Sequence, residues 1–416
     1  MPAKHFLVPD YVLQFKCACC TECCKRWRIN IDKQTVEKYE QLAVDDPELS
    51  TLLAEGLKKD KRGGGVVRLK NKVKKQTREV DGQQKEELIL VDSAICPFLD
   101  QDGLCFIQKK YGVEALSDTC KIFPRNIFLT ERGYEMSLTY ACKTAAQTLK
   151  NKNMVEFYQD PAGFDYPELH GQYGKIGNLL DRKKAGRTNY FKVEELLIDL
   201  MQLRQMDIDT RLILTGIVVD KLKDGDILGI SKYLQNMDTP LISQLKTVPS
   251  QPVFMFKLIK EAVDKRLFLK ITEQEMTRLL MMAYNQLQLL NEAVITDEKV
   301  QQFLTGYAQY YRPYLDEISH VYENYFVNFI FSKKYYTHKY LDAYFLMLFF
   351  YILIRFFTVC VCIVEDRPVD EDMVVGVIQA IERSVGHNSA YYEDVLRLIK
   401  AGDYHRLPYV ISLINL

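Results

Sequence analysis

Hydrophobic and polar positions follow different patterns in the two parts of this chain. Before residue 160 the apolar runs are short, and they predict a strand over Glu87–Asp92 and a hairpin from Asn126–Thr130 to Tyr134–Thr139. The segment from Thr35 to Lys59 predicts two short helices that are separated near Pro47. The first part of the chain is therefore predicted to be mixed in structure and rich in loops.

Beyond residue 160 the apolar residues recur with long helical periodicity. Turn residues interrupt this pattern near Gly225, Pro240, Pro249 and Pro313. The change in pattern follows a segment rich in proline and glycine that begins at Pro161, so we place a domain boundary near residue 160. We predict an α+β fold that is mainly α, with a small, loop-rich, cysteine-cluster domain (1–160) followed by a larger all-helical domain (161–416).

The most apolar run of the chain extends from Tyr344 to Val364. About 20 apolar residues are enough to span a bilayer, but Arg355 lies in the middle of this run, where a cation is costly in lipid. We therefore predict a buried core helix and no transmembrane segment.

Charge gives little indication of a nucleic acid partner. Lys and Arg total 55, as do Asp and Glu, so the chain has no net electrostatic field for nucleic acid or an anionic membrane. Ten basic residues against one acid lie between Leu57 and Arg78. This basic segment is typical of a solvated loop and strand, although it could also bind an acidic protein partner.

Cysteine is the most unevenly distributed residue, because nine of the eleven cysteines lie between Cys17 and Cys142. Met1 to Gln14 has no pattern of a secretory signal, so we expect a cytoplasmic protein with reduced thiols. In that compartment a dense group of cysteines more often binds metal than forms disulfides. Cys360 and Cys362, in the apolar run, are expected to be small buried residues.

The spacing of the first cysteines predicts a metal or iron–sulfur site. Short gaps in a C-x2-C-x2-C-C pattern allow thiolates to converge on zinc or on the irons of a cluster. A second group follows in Cys-Pro-Phe-Leu, Leu-Cys-Phe-Ile and Cys-Lys-Ile-Phe-Pro-Arg. The candidate ligands are Cys17, Cys20, Cys23, Cys24, Cys96, Cys105 and Cys120. One site needs four ligands, so either two centres exist or some of these thiols have other roles.

The cysteine motifs resemble a broad family of zinc- or iron-chelating cysteine-cluster proteins. A narrower similarity, to the flagellin lysine-N-methylase family, includes Trp27 to Asp32, Leu116 to Cys120 and Glu135 to Cys142. Two further segments, Glu323 to Asn328 and Arg383 to Asn388, extend the resemblance over most of the chain.

This resemblance implies methyl transfer from S-adenosylmethionine to lysine side chains of flagellin, with a cysteine-bound 4Fe-4S cluster; zinc is the alternative metal. Neither a Rossmann-type glycine motif nor the radical-type C-x3-C-x2-C spacing is present. Arg383 and His387, which are spaced i, i+4 and so are predicted to share one helix face, are candidates to bind the S-adenosylmethionine carboxylate, or they support helix packing. His387, Tyr325 and Glu323 are candidates to surround the lysine amine, whereas Asn324 and Asn328 are expected to satisfy backbone groups. The alternative function is a non-catalytic metal-chelating or redox-sensing protein with a helical partner-binding domain.

Overall fold

The structure is a computed structural model. It describes residues 5–25, 27, 29–80, 83–164, 177–178, 190–222, 229–230, 244, 246–265, 295–334, 339–401 and 406–416, with the backbone alone for 71–80, 83–93, 177–178, 190, 264–265, 407 and 410. The predicted breaks near Gly225 and Pro240 lie outside these residues, and so do four side chains of the basic segment, Lys72, Lys74, Lys75 and Arg78.

Strands are concentrated in the first part of the chain and helices in the second, which confirms the predicted α+β, mainly α fold. The strands are β1 Phe6–Pro9, β2 Asn30–Ile31, β3 Leu57–Lys59, β4 Gly65–Val67, β5 Lys70–Val80, β6 Gln83–Ile95, β7 Arg125–Thr130, β8 Gly133–Leu138, β9 Phe157–Gln159 and β10 Gly177–Asn178. The α-helices are α1 Asp10–Gln14, α2 Lys33–Ala43, α3 Pro47–Gly56, α4 Phe106–Tyr111, α5 Asp118–Ile122, α6 Lys143–Ala146, α7 Tyr190–Met201, α8 Ile208–Leu222, α9 Pro252–Lys265, α10 Asp297–Gly306, α11 Leu315–Ser332, α12 Tyr340–Glu365, α13 Glu371–Val385, α14 Ser389–Ala401 and α15 Leu407–Ile414.

The chain divides into two compact units. The helical unit comprises Met1–Phe15, Ile127–Ala162 and Gly177–Leu416, and the cysteine unit comprises Lys16–Asn126 and Gly163–Ile176. This division differs from the predicted segments 1–160 and 161–416, because strands β1, β8 and β9 pair in one sheet and belong with the helices.

The cysteine unit is built from short elements around a small core. Strands β2, β4 and β3 form one sheet, and β5 pairs with β6 in a long antiparallel hairpin that contains the predicted strand. Helices α2 and α3 confirm the prediction of two helices separated near Pro47. Asp46 caps the N-terminus of α3, since its carboxylate accepts hydrogen bonds from the backbone N–H groups of Glu48 and Leu49.

The helical unit contains a five-stranded sheet in the order β10-β7-β8-β1-β9. The predicted hairpin is present as β7 and β8, and it turns at Glu131-Arg132-Gly133. The N-terminal strand β1 lies parallel to β8, with Phe6 opposite Tyr134, and antiparallel to β9 on its other side. The sheet therefore joins segments that are far apart in sequence.

Gly133, at the hairpin turn, tolerates no side chain. Its φ is +111°, and a Cβ built there would lie 2.5 Å from the carbonyl oxygen of His5. We expect Gly133→Ala to lower the free energy of unfolding by about 2–4 kcal/mol, because left-handed strain adds to a backbone clash. The matched control is Gly163→Ala, where φ is +74° but a Cβ would meet nothing within 4 Å. Equal thermal midpoints for the two variants would contradict the predicted clash.

Two asparagines of α11 connect this helix to the sheet and the loop that follows it. The amide of Asn328 donates to the carbonyl of Leu138 (3.0 Å), and its oxygen accepts a hydrogen bond from the Tyr11 hydroxyl (2.7 Å). The amide of Asn324 donates to the carbonyls of Leu149 and Asn151 at 3.0 and 2.7 Å. The prediction that these amides satisfy backbone groups is confirmed.

Helix α12 confirms the predicted core helix. It is long and apolar enough to cross a membrane, but most of it is buried within the helical unit. Arg355 is fully buried, and its guanidinium donates to the carbonyls of Ile414 (2.8 Å) and Leu413 (2.5 Å) in α15. Asp209 lies 3.9 Å from the same guanidinium. A buried arginine with these partners explains the charge in the middle of an apolar run.

Candidate functional site

The first cysteines lie on an irregular, mostly exposed loop. Cys17, Cys19 and Cys20 are exposed, whereas Cys23 and Cys24 are half-buried in a short 3-10 turn. Cys19 and Thr21 have φ values of +51° and +54°, a left-handed conformation that costs energy for residues other than glycine. The chain changes direction at both of these positions, so the thiols of this loop lie close together.

The later cysteines reach the same region from separate segments. Cys96 follows β6, and its backbone N–H donates to the carbonyl of Cys24 at 2.7 Å. Cys105 lies opposite Leu99 in an isolated bridge, and Cys120 is in α5. Cys24, Cys96, Cys105 and Cys120 all contact one hydrophobic cluster of the cysteine unit.

Electrostatic interactions show how near these thiols are to one another. A hydrogen bond with Cys23 is the main cause that raises the pKa of Cys24 far above its usual value, and burial and the charges of Cys96 and Cys120 add to it. Burial raises the pKa of Cys96 to about 12, with contributions from Cys120, Cys105 and Cys23. The structure thus brings together Cys23, Cys24, Cys96, Cys105 and Cys120, which are five of the seven predicted ligands.

Cys17 and Cys20, the other two predicted ligands, are connected to this group through Cys19. The pKa of Cys19 is raised chiefly by the charge of Cys17, and also by burial and by the charges of Cys20 and Cys23. The backbone N–H of Cys19 donates to Cys17 Sγ at 3.4 Å. Every one of the predicted cysteine ligands therefore belongs to one neighbourhood of the cysteine unit.

The donor set fits a centre with sulfur ligands. None of the eleven cysteines forms a disulfide, and soft thiolates select zinc or iron–sulfur clusters. Within the described part of the chain, no group of three or more His, Cys, Asp or Glu side chains has the arrangement of a formed metal site. Binding an ion or a cluster would require these sulfur atoms to be deprotonated and drawn together.

Arg383 and His387, the predicted cofactor-binding pair, have different surroundings. Arg383 is buried in α13, whereas His387 is exposed, with Nε2 3.0 Å from Thr139 Oγ1. Helix α13 ends at Val385, so His387 lies beyond it, and the two residues do not share one face of a regular helix as their spacing suggested. Their predicted role in cofactor binding stays a prediction.

The helical unit contains a polar cavity of about 520 Å³. It lies at the N-terminal turns of α8 and α11, and one of its lining residues, Asp207, caps α8 by accepting a hydrogen bond from the backbone N–H of Thr210 at 2.9 Å. Most lining side chains are charged or titratable: the acids Asp207, Asp316, Glu317 and Glu323, the bases Lys152, Arg204 and Arg211, and His320. Burial lowers the pKa of His320 below its usual value, which keeps the ring neutral at neutral pH.

Glu323 is the only one of the three candidate amine-binding residues among those lining this cavity. Its buried carboxylate accepts hydrogen bonds from Arg204 (2.7 to 3.0 Å) and Arg211 (2.6 Å). The Tyr325 hydroxyl is buried and donates instead to Glu382 at 2.7 Å. Two guanidinium groups already occupy the oxygens of Glu323, so this residue is better suited to organising the cavity than to contacting the lysine amine.

The remaining residues of the cavity were not predicted from the sequence. Arg211 was the most detectable, because it is a charged residue in α8, a helix that is otherwise almost entirely buried. Asp316, Glu317 and His320 occupy the first turns of α11, where acids commonly stabilise a helix N-terminus without any further role.

Residues 194–413 match the family model described as FliB lysine N-methylase C-terminal domain. The match covers more than half of the chain. The chain belongs to the FliB lysine N-methylase family. This membership confirms the resemblance inferred from the sequence motifs, and with it the prediction of an enzyme, a protein-lysine N-methyltransferase.

Curated relatives agree with this family. The chain is 33% identical over 149 residues to the flagellar biosynthetic protein FliU of Salmonella muenchen, a match over 34% of this chain and 75% of FliU. It has the same identity over the same length to the lysine-N-methylases of Salmonella typhimurium and Salmonella choleraesuis, but spans only 32% of each. No solved structure matches significantly.

The family match divides the candidate residues of this chain into two sets. Arg204, Arg211, His320 and Glu323 of the cavity, and Arg383 and His387, all lie within residues 194–413. The cysteines from Cys17 to Cys142 precede the matched residues. Most residues named for the cavity therefore lie within the part of the chain that matches the family model, whereas the cysteine cluster lies outside it.

Proposed function

We propose that this protein transfers the methyl group of S-adenosylmethionine to lysine side chains of flagellin, and that its N-terminal cysteines hold an iron–sulfur cluster. The observation that carries the methyl transfer is the family match over residues 194–413. Flagellin as the substrate is supported by the flagellar role in the name of FliU and by the resemblance of the sequence motifs. We place the enzyme in the cytoplasm, where its thiols stay reduced.

The proposed reaction requires a neutral lysine amine. The nitrogen lone pair forms a bond to the methyl carbon, the carbon–sulfur bond breaks, and the sulfonium becomes the thioether of S-adenosylhomocysteine. The lysine must first lose a proton, and because a free lysine has a pKa of about 10.4, the site must desolvate it or supply a base. Tyr325, Glu323 and His387 remain the candidates for surrounding the amine.

The proposed cluster ligands come from Cys23, Cys24, Cys96, Cys105 and Cys120, with Cys17 and Cys20 on the adjacent loop. These thiols lie in one neighbourhood of the cysteine unit, which supports a shared centre. An iron–sulfur cluster supplies one-electron redox chemistry when it is bound, and a zinc ion would supply structural stability alone.

The proposed function is tested with protein purified without oxygen, purified flagellin and S-adenosylmethionine carrying a labelled methyl group. We expect label on flagellin, with methyl-lysine identified by mass spectrometry and S-adenosylhomocysteine formed in equal amount. Flagellin with acetylated lysines is the control, since it has no free amine to accept a methyl group. Metal binding without any labelling would favour the chelating or redox-sensing alternative.

A further inference from the structure

The polar cavity at the N-terminal turns of α8 and α11 has properties of a ligand site. Its volume of about 520 Å³ lies within the range of roughly 300–1,000 Å³ that is typical of small-molecule sites. One of its lining residues, Arg211, is 2% exposed, and its Nε is buried without a hydrogen-bond partner. A buried donor that lacks an acceptor is costly, so a bound ligand that accepts a hydrogen bond there would stabilise the site.

Arg211 is fixed in place by its other contacts. Its Nη1 donates to the carbonyl of Met201 and to Glu323, at 2.6 Å in both cases. Arg204 binds the same carboxylate from the other side, with its Nε 3.0 Å from each oxygen of Glu323. Because Arg204 and Arg211 already hold the buried carboxylate of Glu323, the cavity has a preorganised wall that does not need to rearrange on binding.

The charges around the cavity are complementary to a molecule that carries both signs. The lining has four acids and three bases, and His320 is neutral. Arg211, whose Nε lacks an acceptor, can receive a carboxylate. Asp316 and Glu317, on the first turn of α11, can receive an ammonium group. The resulting charge of about minus one complements S-adenosylmethionine, whose ammonium, carboxylate and sulfonium sum to plus one.

We infer that this cavity binds the amino-acid end of S-adenosylmethionine, with its carboxylate toward Arg211 and its ammonium toward Asp316 and Glu317. This inference rests on the proposed function, because it assigns the cofactor of that reaction to a site. It differs from the pair Arg383 and His387 that the sequence suggested. Substitutions that line the cavity should weaken S-adenosylmethionine binding if the cofactor lies there, and should leave it unchanged if the cofactor lies at Arg383 and His387.

The test measures S-adenosylmethionine binding by isothermal titration calorimetry with the full-length, anaerobically purified protein. Ser319 lines the cavity on the second turn of α11, so Ser319→Trp should fill it and weaken binding at least about tenfold. The matched control is Thr305→Trp on α10, an exposed hydroxyl residue outside the cavity that, like Ser319, donates to a carbonyl of the preceding turn. The control should bind with the affinity of the unchanged protein.

A charge reversal tests the same site without adding bulk. Asp316→Lys should weaken binding several-fold, because it places a cation where the ammonium is expected. Its control is Asp297→Lys, since Asp297 is also an acid in the first turn of a helix, α10, but lies outside the cavity lining. Circular dichroism and thermal midpoints show whether all four variants are folded.

Wild-type affinity in both Ser319→Trp and Asp316→Lys would overturn the inference, and so would a failure of the unchanged protein to bind S-adenosylmethionine. If Ser319→Trp loses flagellin binding but keeps the cofactor, the cavity takes the protein substrate and the inference is wrong. In each case methyl transfer by the unchanged protein is measured separately, so an error in the site is distinguished from an error in the proposed function.

Discussion

Replacing Cys23 with serine is expected to remove the metal centre. Anaerobically purified wild-type protein should contain about four irons with matching sulfide per chain, and Cys23→Ser should contain less than about one, with loss of the visible absorption of the cluster. Cys23 is the most informative position, because it interacts electrostatically with Cys19, Cys24, Cys96 and Cys105. Iron, sulfide and zinc analysis with an absorption spectrum measures the result.

Cys142→Ser is the matched control for this experiment. Cys142 is half-buried and outside any disulfide, like Cys23, but it belongs to the helical unit and was not among the predicted ligands. It should keep the full iron and sulfide content. An unchanged iron content in Cys23→Ser would contradict the proposed ligand set, and one zinc per wild-type chain without sulfide would favour a structural zinc site.

Replacing Arg355 with alanine is expected to cause the largest loss of stability. The side chain is fully buried, and its removal would leave the carbonyls of Leu413 and Ile414 without their donor and would open a cavity. It would also remove the cation beside Asp209, a carboxyl whose pKa is raised, mainly by burial. Breaking such a buried contact typically costs about 3–5 kcal/mol. Thermal and denaturant unfolding measure the change.

Arg312→Ala is the control for this position, because Arg312 also approaches Asp209, at 3.8 Å, but about half of its side chain is exposed. Exposed ion pairs contribute about 0–1 kcal/mol, so the thermal midpoint should change little. Similar losses in both variants would show that the buried hydrogen bonds of Arg355 have little effect.

Local sequence patterns were sufficient for much of the fold. Pro47, the Glu131-Arg132-Gly133 turn and the apolar run around Arg355 each specify an element within a few neighbouring residues. Strand β1 could not be predicted in this way, because Phe6 pairs with Tyr134, and no local pattern encodes a partner so distant in sequence. This pairing is also why the compact units differ from a boundary at residue 160.

The candidate sites were predictable to different degrees. Close spacing indicated that Cys17, Cys20, Cys23 and Cys24 act together, and a second group of cysteine motifs added Cys96, Cys105 and Cys120. The cavity was missed, because Arg211 and Ser319 approach only through the packing of two helices. For Arg383 and His387 the spacing was misleading, since it assumed a helix that in fact ends at Val385.

The parallel pairing of β1 with β8 has a consequence for synthesis on the ribosome. Strand β1 leaves the exit tunnel first, but its partner is made more than a hundred residues later, after the whole segment Lys16–Asn126. The cysteine unit can therefore begin to collect its thiols, and any metal, while the sheet of the helical unit is still incomplete. Folding of the segment that carries these thiols can therefore begin before the helical unit is complete.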